Sequence, residues 1–162
     1  MDKGSCPPRE IYVQPGESRA VIGPAILRTV LGSCVGITFW TRQHNFAALC
    51  HPMLPVSPTG ADISVSVGYR YVDFAIRDIA RSLKRRGIRP EKVRVKLFGG
   101  ADVLLVGRGT ARPSVGRLNC EAAVRELSNE GFKIFASSLG GNFGLNIWFD
   151  TSSGEVLLKR LN

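Results

Sequence analysis

A thiol and an imidazole stand seventeen positions apart in this chain: Cys34, set behind Gly32 and Ser33, and His51, one of only two histidines. A cysteine attacks as thiolate, and a free thiol ionises near ~8.5, so a nucleophilic cysteine needs a base or a cation beside it. An imidazole titrates near neutrality and can take the thiol proton, then hand it to a leaving amine. Gly32 allows a tight turn that lifts the thiol to a sheet end, where backbone N–H groups around Ser33 and Cys34 could hold an oxyanion. Thr29 is placed to orient the ring by a hydrogen bond. Taken singly, Cys34 reads as a small buried hydrophobe and His51 as a satisfied structural histidine. The pairing is what points to chemistry.

Two strands joined by a hairpin would bring Cys34 and His51 together. Cys34–Thr41 is rich in β-branched and aromatic residues, Arg42-Gln43-His44-Asn45 reads as the turn, and Phe46–His51 returns. His51 then opens a Pro-rich stretch, 52–68, which suggests a loop with the histidine open to solvent and substrate at its mouth. An imidazolium beside Cys34 would draw the thiol pKa below its ordinary value.

Around this hairpin the sequence predicts short strands at 11–14, 19–22 and 26–30, a helix over 69–86 stopped by Gly87, and a strand at 93–98. A loop over 99–115 leads to a second helix whose apolar stripe is Cys120, Ala123, Val124 and Leu127. Closing strands follow at 132–137, 146–149 and 155–161. The expected fold class is α+β: mixed or antiparallel sheets, sandwich-like, with two main helices packed on one face. Residues 1–162 read as a single domain, with 1–10 flexible.

Composition narrows the function classes. The 162 residues are 44% apolar, enough for one ordinary core, and no run approaches the ~20 apolar residues of a membrane span. Met1–Pro8 has no apolar signal core, so a reducing bacterial cytosol is the expected location. The four cysteines (Cys6, Cys34, Cys50, Cys120) are expected as free thiols, Cys50 and Cys120 in the core. Cys-x-x-Cys and His-x-x-x-His spacings are absent, so neither a metal nor another cofactor is expected. Gly99-Gly100 and Gly107-Arg108-Gly109 do not lead into a helix as a phosphate loop does. The formal charge of +9 favours an acidic partner. A nucleic-acid module would need exposed aromatics among the cations, whereas Phe39, Trp40 and Trp148 read as core or edge-strand residues.

Leu31-Gly32-Ser33-Cys34-Val35-Gly36 together with His51-x-Met53-Leu54-Pro55 resembles the signature of the chemoreceptor glutamine deamidases, the CheD family. The similarity continues in order through Tyr71-Val72-Asp73, Lys96–Ala101, Gly116-x-x-Asn119, Leu139-Gly140-Gly141-Asn142 and Gly154-x-Val156-Leu157. The resemblance implies a cysteine hydrolase that converts receptor glutamine side chains to glutamate with release of ammonia, and that hydrolyses glutamyl methyl esters in some members. Carried onto this chain it makes Cys34 the nucleophile, His51 the base and Thr29 the third member; Gly32 and Ser33, read above from the turn itself, would shape the site. It also implies chemoreceptor cytoplasmic domains as protein substrate and a CheC-type phosphatase as a partner in some organisms. The rival reading is a non-catalytic adaptor for that phosphatase or a receptor.

Overall fold

The structure is a computed structural model that describes residues 7–60, 62–102 and 112–161. Its centre is set by two segments too apolar to meet water on either side. All seven residues of β4 (Val35–Thr41) and all five of β5 (Phe46–Cys50) are buried. A strand buried on both faces must lie between two other layers.

Together with β2 (Ser18–Ile22), β6 (Arg94–Gly99) and β7 (Ile134–Leu139), these strands form a five-stranded sheet of order β2-β5-β4-β6-β7. β7 pairs in parallel with β6 and the other pairings are antiparallel. The second sheet has the order β1-β3-β8-β9, from Arg9–Tyr12, Ala25–Leu31, Gly144–Asp150 and Val156–Leu161. On one face of the five-stranded sheet Val35, Ile37, Phe39, Ala48 and Cys50 pack against the helices α2 (Val72–Arg85) and α3 (Val115–Asn129). On its other face Trp40, Ala47 and Leu49 meet Leu27, Leu31, Ile147 and Phe149 of the second sheet. Three layers result, sheet on sheet on helices. The expected α+β sandwich with two main helices on one face is what the chain adopts.

Several boundaries differ from expectation for physical reasons. The first strand begins at Arg9, inside the segment expected to be flexible, because Arg9–Tyr12 pairs in parallel with Ala25–Arg28. Residues 1–6 lie outside the described residues, as does 103–111 of the expected 99–115 loop. The stretch 52–68 contains one helical turn, α1 (Val65–Gly68). The main helix starts at Val72 rather than 69, because Tyr71 is held extended in a parallel bridge to Leu54.

The second helix is rotated from the expected stripe. Val124 is exposed and Cys120 only half-buried, whereas Asn119 and Glu126 are buried beside Ala122, Ala123 and Leu127. Polar residues take those buried positions because each has a partner there. Glu126 accepts from Arg77 Nε at 2.6 Å, tying α3 to α2. Asp73 on α2 in turn accepts from Ser57 N–H and Ser57 Oγ, both at 2.9 Å, which fastens the chain that follows β5.

Candidate active site

The hairpin register brings Cys34 and His51 to the same end of one face. Ile37 pairs with Cys50, and Val35 N–H donates to Pro52 O at 3.3 Å, so the ladder carried on sets His51 across from Gly36. Cross-strand partners project to one side and alternate along the strand. Cys34 and His51 therefore share the face that looks into the layer between the sheets, where the thiol packs against the inner cluster. Gly36 between them carries no side chain, and a Cβ there would come within 2.8 Å of Leu31 Cδ1. The bare position leaves room for the Leu31 side chain of the opposite sheet. Cys50, the neighbour of His51, faces the helices instead and is fully buried, as expected.

From the second sheet, Thr29 on β3 reaches across. Its Oγ1 lies 2.7 Å from His51 Nδ1 and 2.7 Å from the carbonyl oxygen of Val13. A hydroxyl has one proton and a carbonyl can only accept. Thr29 therefore donates to Val13 O and accepts at the same oxygen from an Nδ1–H. The ring is held with its proton on Nδ1 and its lone pair on Nε2, which is the tautomer a general base needs. The main chain of His51 is fixed as well: its N–H donates to Glu17 O at 2.9 Å and its carbonyl accepts from Gly16 N–H at 2.7 Å.

Charge states follow from burial. His51 is only 1% exposed, so the expectation of a histidine open to solvent does not hold. Burial lowers its pKa from 6.5 to about 4, with the Val13 carbonyl opposing in part. The Cys34 thiol is partly exposed, and burial raises its pKa, opposed by its own N–H. The expected depression of the thiol pKa is thus reversed: no imidazolium stands beside it at neutral pH. Among the described residues no hydrogen bond joins Cys34 Sγ to the ring. The free pair is an uncharged thiol and an uncharged base.

The turn that carries Cys34 is pinned by its carbonyls. Gly32 O accepts from Ala101 N–H at 2.9 Å, Ser33 O from Asn119 Nδ2 at 2.9 Å, and Cys34 O from Gly100 N–H at 2.8 Å. Gly99 and Gly100 permit this approach with φ of +94° and +67°; a Cβ on Gly99 would lie 2.4 Å from Cys34 O. Ser33 and Cys34 N–H groups donate to no other residue among the described ones. His44 is exposed in the turn between β4 and β5, at the opposite end of the hairpin and about 20 Å away along the strand.

The structure thus gathers Thr29, Gly32, Ser33, Cys34 and His51 at one end of the sandwich. It adds two groups without a role in the sequence reading, the Val13 carbonyl and the Asn119 amide. A main-chain oxygen leaves no trace in a residue's identity. Asn119 does leave one: a polar residue on the buried stripe of an amphipathic helix.

A two-sheet α+β domain with a thiol beside an oriented, uncharged imidazole has the equipment of a cysteine hydrolase. Residues 53–160 match the family model described as "CheD chemotactic sensory transduction", a match that begins just after His51. Curated relatives extend across the hairpin. A probable chemoreceptor glutamine deamidase CheD 2 of Geobacter sulfurreducens is 41% identical over 94% of this chain and 90% of that protein. A probable chemoreceptor glutamine deamidase CheD of Maridesulfovibrio salexigens is 36% identical over 94% and 92%. One of Thermococcus kodakarensis is 31% identical over 94% of each. The chain belongs to the CheD family.

Proposed function

We propose that this chain is a protein-glutamine glutaminase that hydrolyses glutamine side-chain amides of chemoreceptors, with Cys34 as nucleophile, His51 as base and Thr29 as the group that orients it. The observation that carries the site assignment is the Val13–Thr29–His51 relay, which leaves Nε2 unprotonated on the thiol's side of the sheet.

His51 Nε2 accepts the Cys34 proton as sulfur attacks the amide carbon, and the carbonyl electron pair moves to oxygen. The Ser33 and Cys34 N–H groups, with no other partner among the described residues, hold that oxyanion. The imidazolium protonates the departing nitrogen, the C–N bond breaks, and ammonia leaves a thioester. Water, deprotonated by the same ring, then attacks the thioester, releasing glutamate and restoring the thiol. Charge separation arises only when substrate is present, which matches an uncharged resting pair. The +9 chain favours acidic receptor surfaces. A CheC-type phosphatase as partner and a cytoplasmic location belong to the same reading. No helix among the described residues is long and apolar enough to cross a membrane.

The test is mass spectrometry of a chemoreceptor cytoplasmic fragment incubated with the protein. A small mass gain at particular glutamines is expected with the wild type and none with Cys34→Ala, whose melting should stay near wild type. Deamidation at an undiminished rate by the folded Cys34→Ala protein overturns the assignment.

A further inference from the structure

We infer that Asn119 is a positioning residue that aims and strengthens the oxyanion-binding N–H of Cys34. The inference rests on the reading of Cys34 as nucleophile and adds a residue to it. Three successive carbonyls of the nucleophile turn, those of Gly32, Ser33 and Cys34, are drawn toward the Gly99–Ala101 chain and α3 by the bonds described above. In a trans peptide the C=O of one residue and the N–H of the next point in opposite directions. Tying Gly32 O to Ala101 therefore turns Ser33 N–H away from α3, and tying Ser33 O to Asn119 does the same for Cys34 N–H. These are the two N–H groups left without another partner among the described residues. A hydrogen bond on the carbonyl side also polarises the peptide and makes its N–H a better donor.

Asn119 is 0% exposed and spends both amide hydrogens on main chain, one on Ser33 O and one on Met53 O, each at 2.9 Å. It thereby clamps the nucleophile turn to the segment that leaves His51. Its Oδ1 is buried with no donor among the described residues. An acceptor left so is costly, whereas Glu126, the other buried polar residue of the stripe, has its carboxylate paired with Arg77. The close seat of α3 serves the same contact. A Cβ on Gly116 would lie 2.6 Å from Gly100 O and 2.7 Å from Ala101 O, so only glycine lets the helix approach this near.

The experiment compares wild type with Asn119→Ala and Asn119→Asp in three measurements. One is deamidation of a chemoreceptor fragment. The second is affinity for an aldehyde analogue of N-acetylglutamine amide, in which CHO replaces CONH2. It forms a thiohemiacetal: the Cys34 S–C bond forms as the C=O π bond breaks, and the thiol proton passes by way of His51 to the new oxygen. The third is alkylation of Cys34 by iodoacetamide, which builds no oxyanion in the site. Expected are a kcat lower by roughly tenfold to a hundredfold with KM little changed, an aldehyde affinity lower by a similar factor, and an unchanged alkylation rate. A kcat loss with aldehyde affinity intact overturns the inference, as does an alkylation rate that falls in step with kcat. Variants as active as wild type also overturn it, and they leave the role of Cys34 standing so long as Cys34→Ala is inactive. Should neither variant fold, amide NMR of the wild type decides. The Ser33 and Cys34 N–H resonances must move downfield on aldehyde binding, and resonances that stay in place overturn the inference.

Discussion

Thr29 lies on one sheet and His51 directly follows a strand of the other, so the 2.7 Å hydrogen bond between them crosses the sandwich. The proposed nucleophile and base come from the ends of one hairpin, while the group proposed to set the base comes from the facing layer. Thr29→Val keeps the shape but removes the oxygen that accepts from Nδ1–H, freeing the ring to change tautomer. Its kcat should fall roughly tenfold, less than the ~10²-fold or greater loss expected of His51→Ala. Thr29→Ser should recover most of the activity, and His44→Ala should be indistinguishable from wild type. Equal activity of Thr29→Val and wild type would show that the bond does not matter to turnover.

The pH profile should carry the mark of burial at both limbs. His51 must be neutral to accept a proton, and its pKa is lowered to about 4, so kcat/KM should hold steady well below pH 6.5 and fall only as about 4 is approached. The thiol pKa is raised, so Cys34 should be alkylated by iodoacetamide with a midpoint above that of free cysteine. His51→Ala should hardly move that midpoint, since the ring it removes is uncharged. A midpoint near neutrality in the wild type would instead reveal a preformed thiolate–imidazolium pair.

The same histidine links stability to acidity. Its folded pKa of about 4 lies below the 6.5 of the unfolded chain. Between these values the unfolded chain binds the extra proton, so folding weakens as pH falls from about 6.5 to about 4 and the effect levels off below. The contribution is at most about 3 kcal/mol. Urea unfolding at pH 7 and pH 4.5 measures it, and His51→Gln should be less sensitive to acid than wild type. Parallel losses in the two proteins would place the acid sensitivity elsewhere.

Thr38 offers a check on the inner layer away from the chemistry. It is 1% exposed, and its Oγ1 has no hydrogen-bond partner among the described residues. Thr38→Val keeps the shape and replaces the unpaired hydroxyl with a methyl group. Stability should rise by about 1 kcal/mol, seen as a higher Tm with deamidation unchanged. A lower Tm would mean the hydroxyl has a partner.

Much of this was legible in the residues, and the illegible parts share a cause. β-Branched and aromatic residues marked the β4–β5 hairpin, and that hairpin put Cys34 and His51 near its two ends. Local pattern reports neighbours along the chain, whereas the protonation of the pair depends on what the other layer does. The covering by β3 hid His51 from water and reversed the expected charge states. The phase of α3 was misread for a related reason: Asn119 and Glu126 are polar in type yet buried, because Ser33, Met53 and Arg77 meet them from distant parts of the chain.

The oxygen that sends the Thr29 proton away from the imidazole belongs to the main chain of Val13, and every amino acid supplies that atom alike. Substitutions at position 13 can loosen the core, where Val13 is fully buried, but they cannot delete the acceptor. Val13 N–H is itself bonded to Arg28 O at 2.8 Å, next to Thr29 in the chain, so acceptor and threonine travel together. The proton arrangement of His51 is therefore buffered against point mutation on one side. A side-chain scan would register position 13 as packing alone, and on that side it would take an insertion or deletion between it and Thr29 to unset the histidine.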